Sequence, residues 1–383
     1  MKILHAAKFY PPVRGGMETV IGDLCDGTAT EWDIQVVAAN DAPRTVRERC
    51  GEVDVVRSAA YGMAASVPLC PALPWHLWEA GADCVVLHEP NPIAGTALWL
   101  RTPAPRLVIW HHSDLLRPWW ALPTYSRMVQ RVLYRRADCV IVSSPALAES
   151  ALVQCARRVA VIPFGIDLER YRRTNPDYQA RVDAIRERTH GPRLLFVGRL
   201  VYYKGLHVLL DAAREWPGTI VIAGDGPLEP VLRAQASALG IADRVHFLGR
   251  VSHDDLPAYY HACDAFVLPS IARTETFGVV QIEAMAAGLP VVSTSLPTGV
   301  PWVNQAGVSG LVVEPGNAPA LGGALRRLAE DRDLRERLAE GARRRADALF
   351  SRDRMIHVFR DVLEAVVRTP ERLDDQLAQL AVR

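Results

Sequence analysis

The chain has 383 residues, room for two or three domains with sizeable cores, and its 49% hydrophobic and 23% charged residues exclude a collagen-like or wholly disordered protein. A net charge of +1, from 44 basic and 43 acidic residues, excludes a protein-wide attraction to nucleic acid or anionic lipid, so any basic surface is local. Seven cysteines, an odd count with no C-x-x-C pair, spell neither a zinc ribbon nor a dithiol motif, and reduced cytosolic thiols are the expectation.

Short β-branched apolar runs alternate with helical patterns from end to end, the signature of parallel sheets covered by helices on both faces. In the first half the runs predict strands at Ile3 to Ala7, Ile34 to Ala39, Cys84 to His88, Leu107 to Trp110, Cys139 to Ser143 and Val159 to Pro163. From Pro163 to Pro192 the chain is rich in Arg, Asp, Asn and Pro, and a domain boundary is placed there. Strands resume at Leu194 to Gly198, Thr219 to Ala223, Val245 to Leu248, Ala265 to Leu268, Val291 to Thr294 and Leu311 to Val313. Beyond about Ala318 the pattern is helical, and Met355, Val358, Phe359, Val362, Leu363 and Val366 keep to one helix face. The expected plan is two Rossmann-like domains, 1–175 and 176–350, with a helix over 351–383 packing back on the first. No apolar run approaches the 18 residues of a membrane span and no h-region follows Met1, so the chain is expected to be neither signal-led nor membrane-spanning.

Chemistry concentrates on two strand-to-helix segments of the second half. After the strand ending at Leu268 come Glu275-Thr276-Phe277-Gly278 and a helix carrying Glu283, with Gly288 as its C′ residue. The N-terminus of that helix suits a phosphate. Taken alone, the two glutamates read better as the solvated face of a crossover helix. After the strand ending at Gly198 stand Arg199 and Lys204-Gly205, two cations suited to a pyrophosphate or to plain solvent. Only Lys2, Lys8 and Lys204 are lysines, so a retained lysine points to a place that wants a compact ammonium.

Gly15-Gly16, His112, Gly198-Arg199, Lys204-Gly205, Gly224-Asp225-Gly226-Pro227 and Glu275 with Glu283 match, in order, the pattern of the family 4 glycosyltransferases of the GT-B fold. The resemblance covers nearly the whole chain and is most specific from Ala284 through Val292 and in the Gly299 to Asn304 loop. It implies a retaining, metal-independent hexosyltransferase whose substrate is a nucleotide-diphosphate sugar, with no separate cofactor. By this resemblance Arg199 and Lys204 hold the diphosphate, and Gly15 and Gly16 approach it. Glu283 accepts from the ribose, and Arg250 and Val251 lie beside the base. The transferred sugar meets Glu275 and the backbone of Thr276, Phe277, Gly278 and Val279, with His112 near its reacting carbon. The leaving phosphate oxygen serves as base. Lys8, Glu18 and Asp114 are candidates for the acceptor side. GDP-mannose is the first donor implied, ahead of UDP-glucose and UDP-N-acetylglucosamine. The acceptor is a glycan, a lipid-linked glycan or a small molecule in glycoconjugate synthesis, and nucleic acid is not expected as a partner. A nucleotide-sugar epimerase or a non-catalytic partner subunit remains the alternative.

From 115 to 136 aromatic residues (Trp119, Trp120, Tyr125, Tyr134) interleave with arginines, which suits either peripheral contact with the inner face of the cytoplasmic membrane or a crossover helix with a basic solvent face. Trp75, Trp78, Trp99, Trp110 and Trp302 are expected to pack, His88 and His111 to be buried, and Asp331-Arg332-Asp333 to be solvated surface rather than a metal motif.

Overall fold

The computed structural model describes the chain except residues 14, 65–66, 115–121, 174–175 and 382–383, and the side chains at 122–123, 176–177, 376 and 379–381 also lie outside the description. The residues divide into two compact units, Met1–Gly165 with Arg352–Arg383, and Ile166–Ser351. The division falls ahead of the expected 175 because Ile166 bridges to Ser351 and Tyr171 packs edge-on against Tyr260, both within the second unit.

The first unit contains β1 (Lys2–Ala6), β2 (Asp33–Ala39), β3 (Val46–Cys50), β4 (Val53–Ser58), the short pair β5 (Met63–Ala64) and β6 (Val67–Pro68), β7 (Cys84–Glu89), β8 (Arg106–His111), β9 (Cys139–Val142) and β10 (Val159–Val161). Eight of these form one sheet in the order β10-β9-β8-β7-β1-β2-β4-β3, parallel except for β3. The central strands are buried along their length, as continuous apolar runs require when helices cover both faces. The β3–β4 hairpin went unread because Arg47, Glu48 and Arg49 make β3 a charged, exposed edge, which protects a sheet edge and hides it from an apolar pattern. Helix Arg352–Arg368 buries Met355, Phe359, Val362, Leu363 and Val366 against this unit, with Ile356 and Ala365 added and Val358 only half-buried. It packs on helix Gly16–Thr28, where a Cβ on Gly27 would lie 2.4 Å from Ile356 Cδ1.

The second unit contains β11 (Arg193–Val197), β12 (Thr219–Ala223), β13 (Val245–Gly249), β14 (Ala265–Leu268), β15 (Val291–Thr294) and β16 (Gly310–Val313). All are parallel, in the order β13-β12-β11-β14-β15-β16. Relative to chain order this is the 3-2-1-4-5-6 arrangement of doubly wound sheets, so the topology reverses between β11 and β14, and in such sheets ligands bind outside the carboxyl ends of the strands at that point. Asp331 is exposed and caps helix Arg332–Leu349 by accepting from Leu334 N, so the Asp-x-Asp pair is a helix start on the surface.

Candidate functional site

In the second unit the loops after β11, β12 and β14 are held together by backbone contact. Gly205 has φ +71 and sits so close to the loop after β14 that a Cβ there would lie 1.9 Å from Pro269 O, and Ile271 N donates to Tyr203 O at 2.8 Å. Gly224 follows β12 with φ +140, and its Cβ would fall 2.0 Å from Gly198 O. Only glycine fits these two positions, for conformation and for space. Leu200 N then donates to Asp225 O at 2.8 Å, tying the Gly-Asp-Gly turn to the loop that carries Arg199.

That packing brings together two side chains 71 residues apart. Lys204 Nζ donates to Glu275 Oε2 at 2.5 Å, and Ser270 Oγ donates to the same oxygen at 3.0 Å. Thr294 in turn donates to Ser270 O at 2.6 Å, which fixes Ser270. Both Lys204 and Glu275 are buried, so the ammonium and the carboxylate are paired to each other rather than separately directed outward. Arg199 is exposed in the loop just past β11. Gly278 (φ +72) introduces helix Val280–Ala287, and Gly278 and Val279 N–H have no backbone acceptor among the described residues. Gly288 closes the helix in the left-handed conformation with φ 82, the C′ role expected of it.

Glu283, in the first turn of that helix, accepts from Tyr260 OH at 2.7 Å, and Tyr171 contributes a further hydrogen bond. Burial nevertheless raises its carboxyl pKa, the hydrogen bonds and Arg170 opposing only in part. A carboxyl with a raised native pKa favours folding when protonated, so its contribution is present in acid and is lost as pH climbs above the ordinary 4.5. Glu283→Gln is therefore expected to raise the melting temperature at pH 7 by about 2–4 °C and to flatten its decline between acid and neutral pH, measured by thermal unfolding across that range. Arg250 lies exposed after β13, 3.6 Å from Asp225, with Val251 half-buried beside it.

In the first unit, Gly15 is extended and precedes the helix Gly16–Thr28. A Cβ on Gly15 would meet Glu18 Oε2 at 2.1 Å, whereas one on Gly16 would meet no atom of the described residues within 4 Å. Lys8 and Glu18 attract each other electrostatically, but burial dominates both, lowering the Lys8 pKa and raising that of Glu18. Asp114 accepts from Ser150 Oγ at 2.8 Å and lies 3.3 Å from His111 Nε2.

His112 follows β8 directly, its backbone N–H donating to Glu89 O at 3.0 Å, and is 3% exposed. Trp110 stacks on its ring at 5.6 Å and 5°. His88 lies 3.0 Å from His112, and His5, which the pattern of apolar runs concealed inside the opening strand, lies 3.0 Å from His88. His111 is buried as expected and is bonded to Tyr134 OH at 2.7 Å. Two aromatic expectations are corrected. Tyr134 is a core residue and Tyr125 bonds Glu89 at 3.3 Å, so neither offers itself to a lipid surface. Trp75 is 60% exposed with Trp78 at 5.7 Å, so it is not a packed core side chain. Arg127, Arg131, Arg135 and Arg136 are exposed, while Trp119 and Trp120 lie outside the described residues.

Residues 14–170 match the family model described as Glycosyltransferase Family 4, and residues 179–345 match Glycosyl transferases group 1. The O-antigen chain mannosyltransferase C of Escherichia coli is 31% identical over 94% of this chain and 97% of its own length. The D-rhamnosyltransferase WbpZ of Pseudomonas aeruginosa is 34% identical over 92% of each chain. A crystal structure of Anabaena Alr3699/HepE in complex with UDP-glucose has the same fold, with a TM-score of 0.76 over 95% of this chain and 100% of that one at 24% identity.

Proposed function

Because the chain belongs to the family 4 glycosyltransferases of the GT-B fold and is a hexosyltransferase, we propose that it moves a hexose from a nucleotide-diphosphate sugar to a hydroxyl of a glycan or lipid-linked acceptor, with retention and without a metal ion. GDP-mannose is the donor put first, in keeping with likeness to a mannosyl- and a rhamnosyltransferase. The observation that carries this reading is the gathering of Arg199, Lys204 and the start of helix Val280–Ala287 at the carboxyl ends of β11 and β14.

Each group then has a physical task. As the glycosidic bond lengthens, negative charge builds on the leaving diphosphate, and a fixed ammonium, a guanidinium and helix N–H groups stabilise it without reorganising. This positive environment takes the place of a divalent ion. The leaving oxygen, brought close to the incoming hydroxyl, removes its proton, so no side-chain nucleophile is needed. Glu275, held by Lys204 and Ser270, presents its remaining lone pairs to the sugar hydroxyls together with the backbone of Thr276, Phe277, Gly278 and Val279. Glu283 accepts from the ribose while Tyr260 steadies it, and Arg250 and Val251 flank the base. His112 is assigned to the transferred sugar, and Gly15 and Gly16 to the diphosphate. Lys8, Glu18 and Asp114 are assigned to the acceptor side. Among the described residues no helix is long and apolar enough to cross a membrane, and contact with a bilayer through 115–136 is part of the proposal.

The test is transfer from GDP-mannose to mannose-containing oligosaccharides in EDTA, with the product's anomeric configuration read by NMR. An α-linked product formed at undiminished rate in chelator is expected. A β-linked product, or dependence on added Mg2+, contradicts the mechanism. Within the same assay Gly16→Val is expected to leave the melting temperature unchanged, since Gly16 is exposed and no atom of the described residues lies within 4 Å of a Cβ there, while raising the donor KM at least tenfold.

A further inference from the structure

β1, β7 and β8 are adjacent and parallel, and their register sets His5 beside Val86 and His88 beside Trp110. Side chains two residues apart along a strand share a face. His88 is therefore one same-face step beyond His5, and His112 one step beyond His88, a diagonal of imidazoles that climbs to the carboxyl edge of the sheet. His5 Nδ1 lies 3.0 Å from His88 Nε2, and His88 Nδ1 lies 3.0 Å from His112 Nε2. The rings stack, each neighbouring pair with centroids 5.3 Å apart. Burial keeps all three neutral, holding His5 and His112 down to about 3 and His88 well below its ordinary value.

Three neutral imidazoles carry three N–H protons. Each contact between rings uses one, so the third sits at one end of the chain, on His5 Nε2 or on His112 Nδ1. Both of these atoms are buried, and neither has a hydrogen-bond partner among the described residues. The two ends differ. His5 is fully buried, with the Phe359 ring 6.0 Å from its own, and an orphaned N–H in such a place is costlier and rarer than an orphaned lone pair. His112 stands just past the end of β8, at the edge of the sheet where ligands of such folds sit.

We infer that His5 and His88 are positioning residues that fix the tautomer of His112, so that His112 presents Nδ1–H as a donor to an oxygen of the bound sugar nucleotide. In this polarity His5 Nδ1–H donates to His88 Nε2, and His88 Nδ1–H donates to His112 Nε2. The identity of the accepting oxygen rests on the glycosyl-transfer reading. The tautomer does not.

The test is two-bond 1H–15N correlation on the full chain labelled with 15N-histidine at pH 7, with His112 assigned by its absence in His112→Gln. The expected wild-type spectrum shows His112 protonated at Nδ1 and bare at Nε2. His88→Phe keeps a ring in the stack and removes the donor, and is expected to move His112 to the Nε2–H form. Where that variant does not fold, His5→Phe is expected to give a mixture of the two forms. Wild-type His112 protonated at Nε2, or a tautomer unmoved by the substitution, overturns the inference. In the transfer assay His88→Phe is expected to lower kcat about tenfold with the donor KM within about twofold, the loss of one hydrogen bond to the reacting sugar. An unchanged kcat in a variant whose tautomer has shifted would overturn the catalytic part. Because the spectrum needs no substrate, failure of the tautomer assignment is distinguishable from failure of the transferase reading.

Discussion

Lys204→Ala is expected to lower kcat/KM for the nucleotide-sugar donor by about a thousandfold, measured by initial rates at saturating acceptor. Two effects add. The diphosphate loses a charge-assisted contact contributing about 1.5–3 kcal/mol. Glu275 is also left buried, with Ser270 still donating at 3.0 Å but no cation beside it, and a carboxylate stripped of its ion-pair partner is costly to keep ionised. Together about 4 kcal/mol of transition-state stabilisation is lost, which is about three orders of magnitude in rate. Lys204→Arg is not expected to restore activity. Lys204 is buried with Nζ 2.5 Å from the buried Glu275 carboxylate, and the Tyr203 ring centroid is 5.6 Å away, so a longer planar fork would have to displace its neighbours. Recovery of near wild-type activity in Lys204→Arg would show that only charge matters there.

Gly205→Ala is expected to cost about 3–5 kcal/mol, seen as a fall of about 10 °C in the melting temperature, and to abolish donor binding with it. The left-handed backbone at φ +71 accounts for about 1–2 kcal/mol of this. The remainder comes from the Pro269 carbonyl, 1.9 Å from the new methyl, which is backbone and cannot swing away. Gly240→Ala supplies the control. Its φ of +68 is nearly the same but a Cβ there meets no atom of the described residues within 4 Å, so only the conformational cost should appear. Equal losses in the two variants would place the whole effect in backbone strain and remove the close approach from the account.

Much of the fold was legible because buried parallel strands must be apolar along their whole length. Thr219–Ala223, Ala265–Leu268 and Val291–Thr294 coincide with their expected limits for that reason. The β3 edge strand was not legible, since an edge stays unpaired on one side and carries charge instead. At the site, residue types and their order were readable, but partnership was not. Lys204 and Glu275 read as two groups directed at two parts of a ligand, and their ion pair depends on Gly205 lying against Pro269, a tertiary contact that leaves no local pattern. His5 was hidden for the opposite reason. One polar residue inside an apolar strand looks like a satisfied core histidine, and its meaning emerges only when the register of three strands aligns it with His88 and His112.

The most direct measurement is a donor panel of GDP-mannose, UDP-glucose, UDP-N-acetylglucosamine and dTDP-rhamnose with purified protein in EDTA, scored by thermal shift and by released nucleotide. Stabilisation by GDP-mannose above the others, with slow hydrolysis in the absence of acceptor and neither effect in Lys204→Ala, is the predicted result. Failure of all four donors to bind or to be hydrolysed, with or without Mg2+, would contradict a nucleotide-sugar site at the carboxyl ends of β11 and β14.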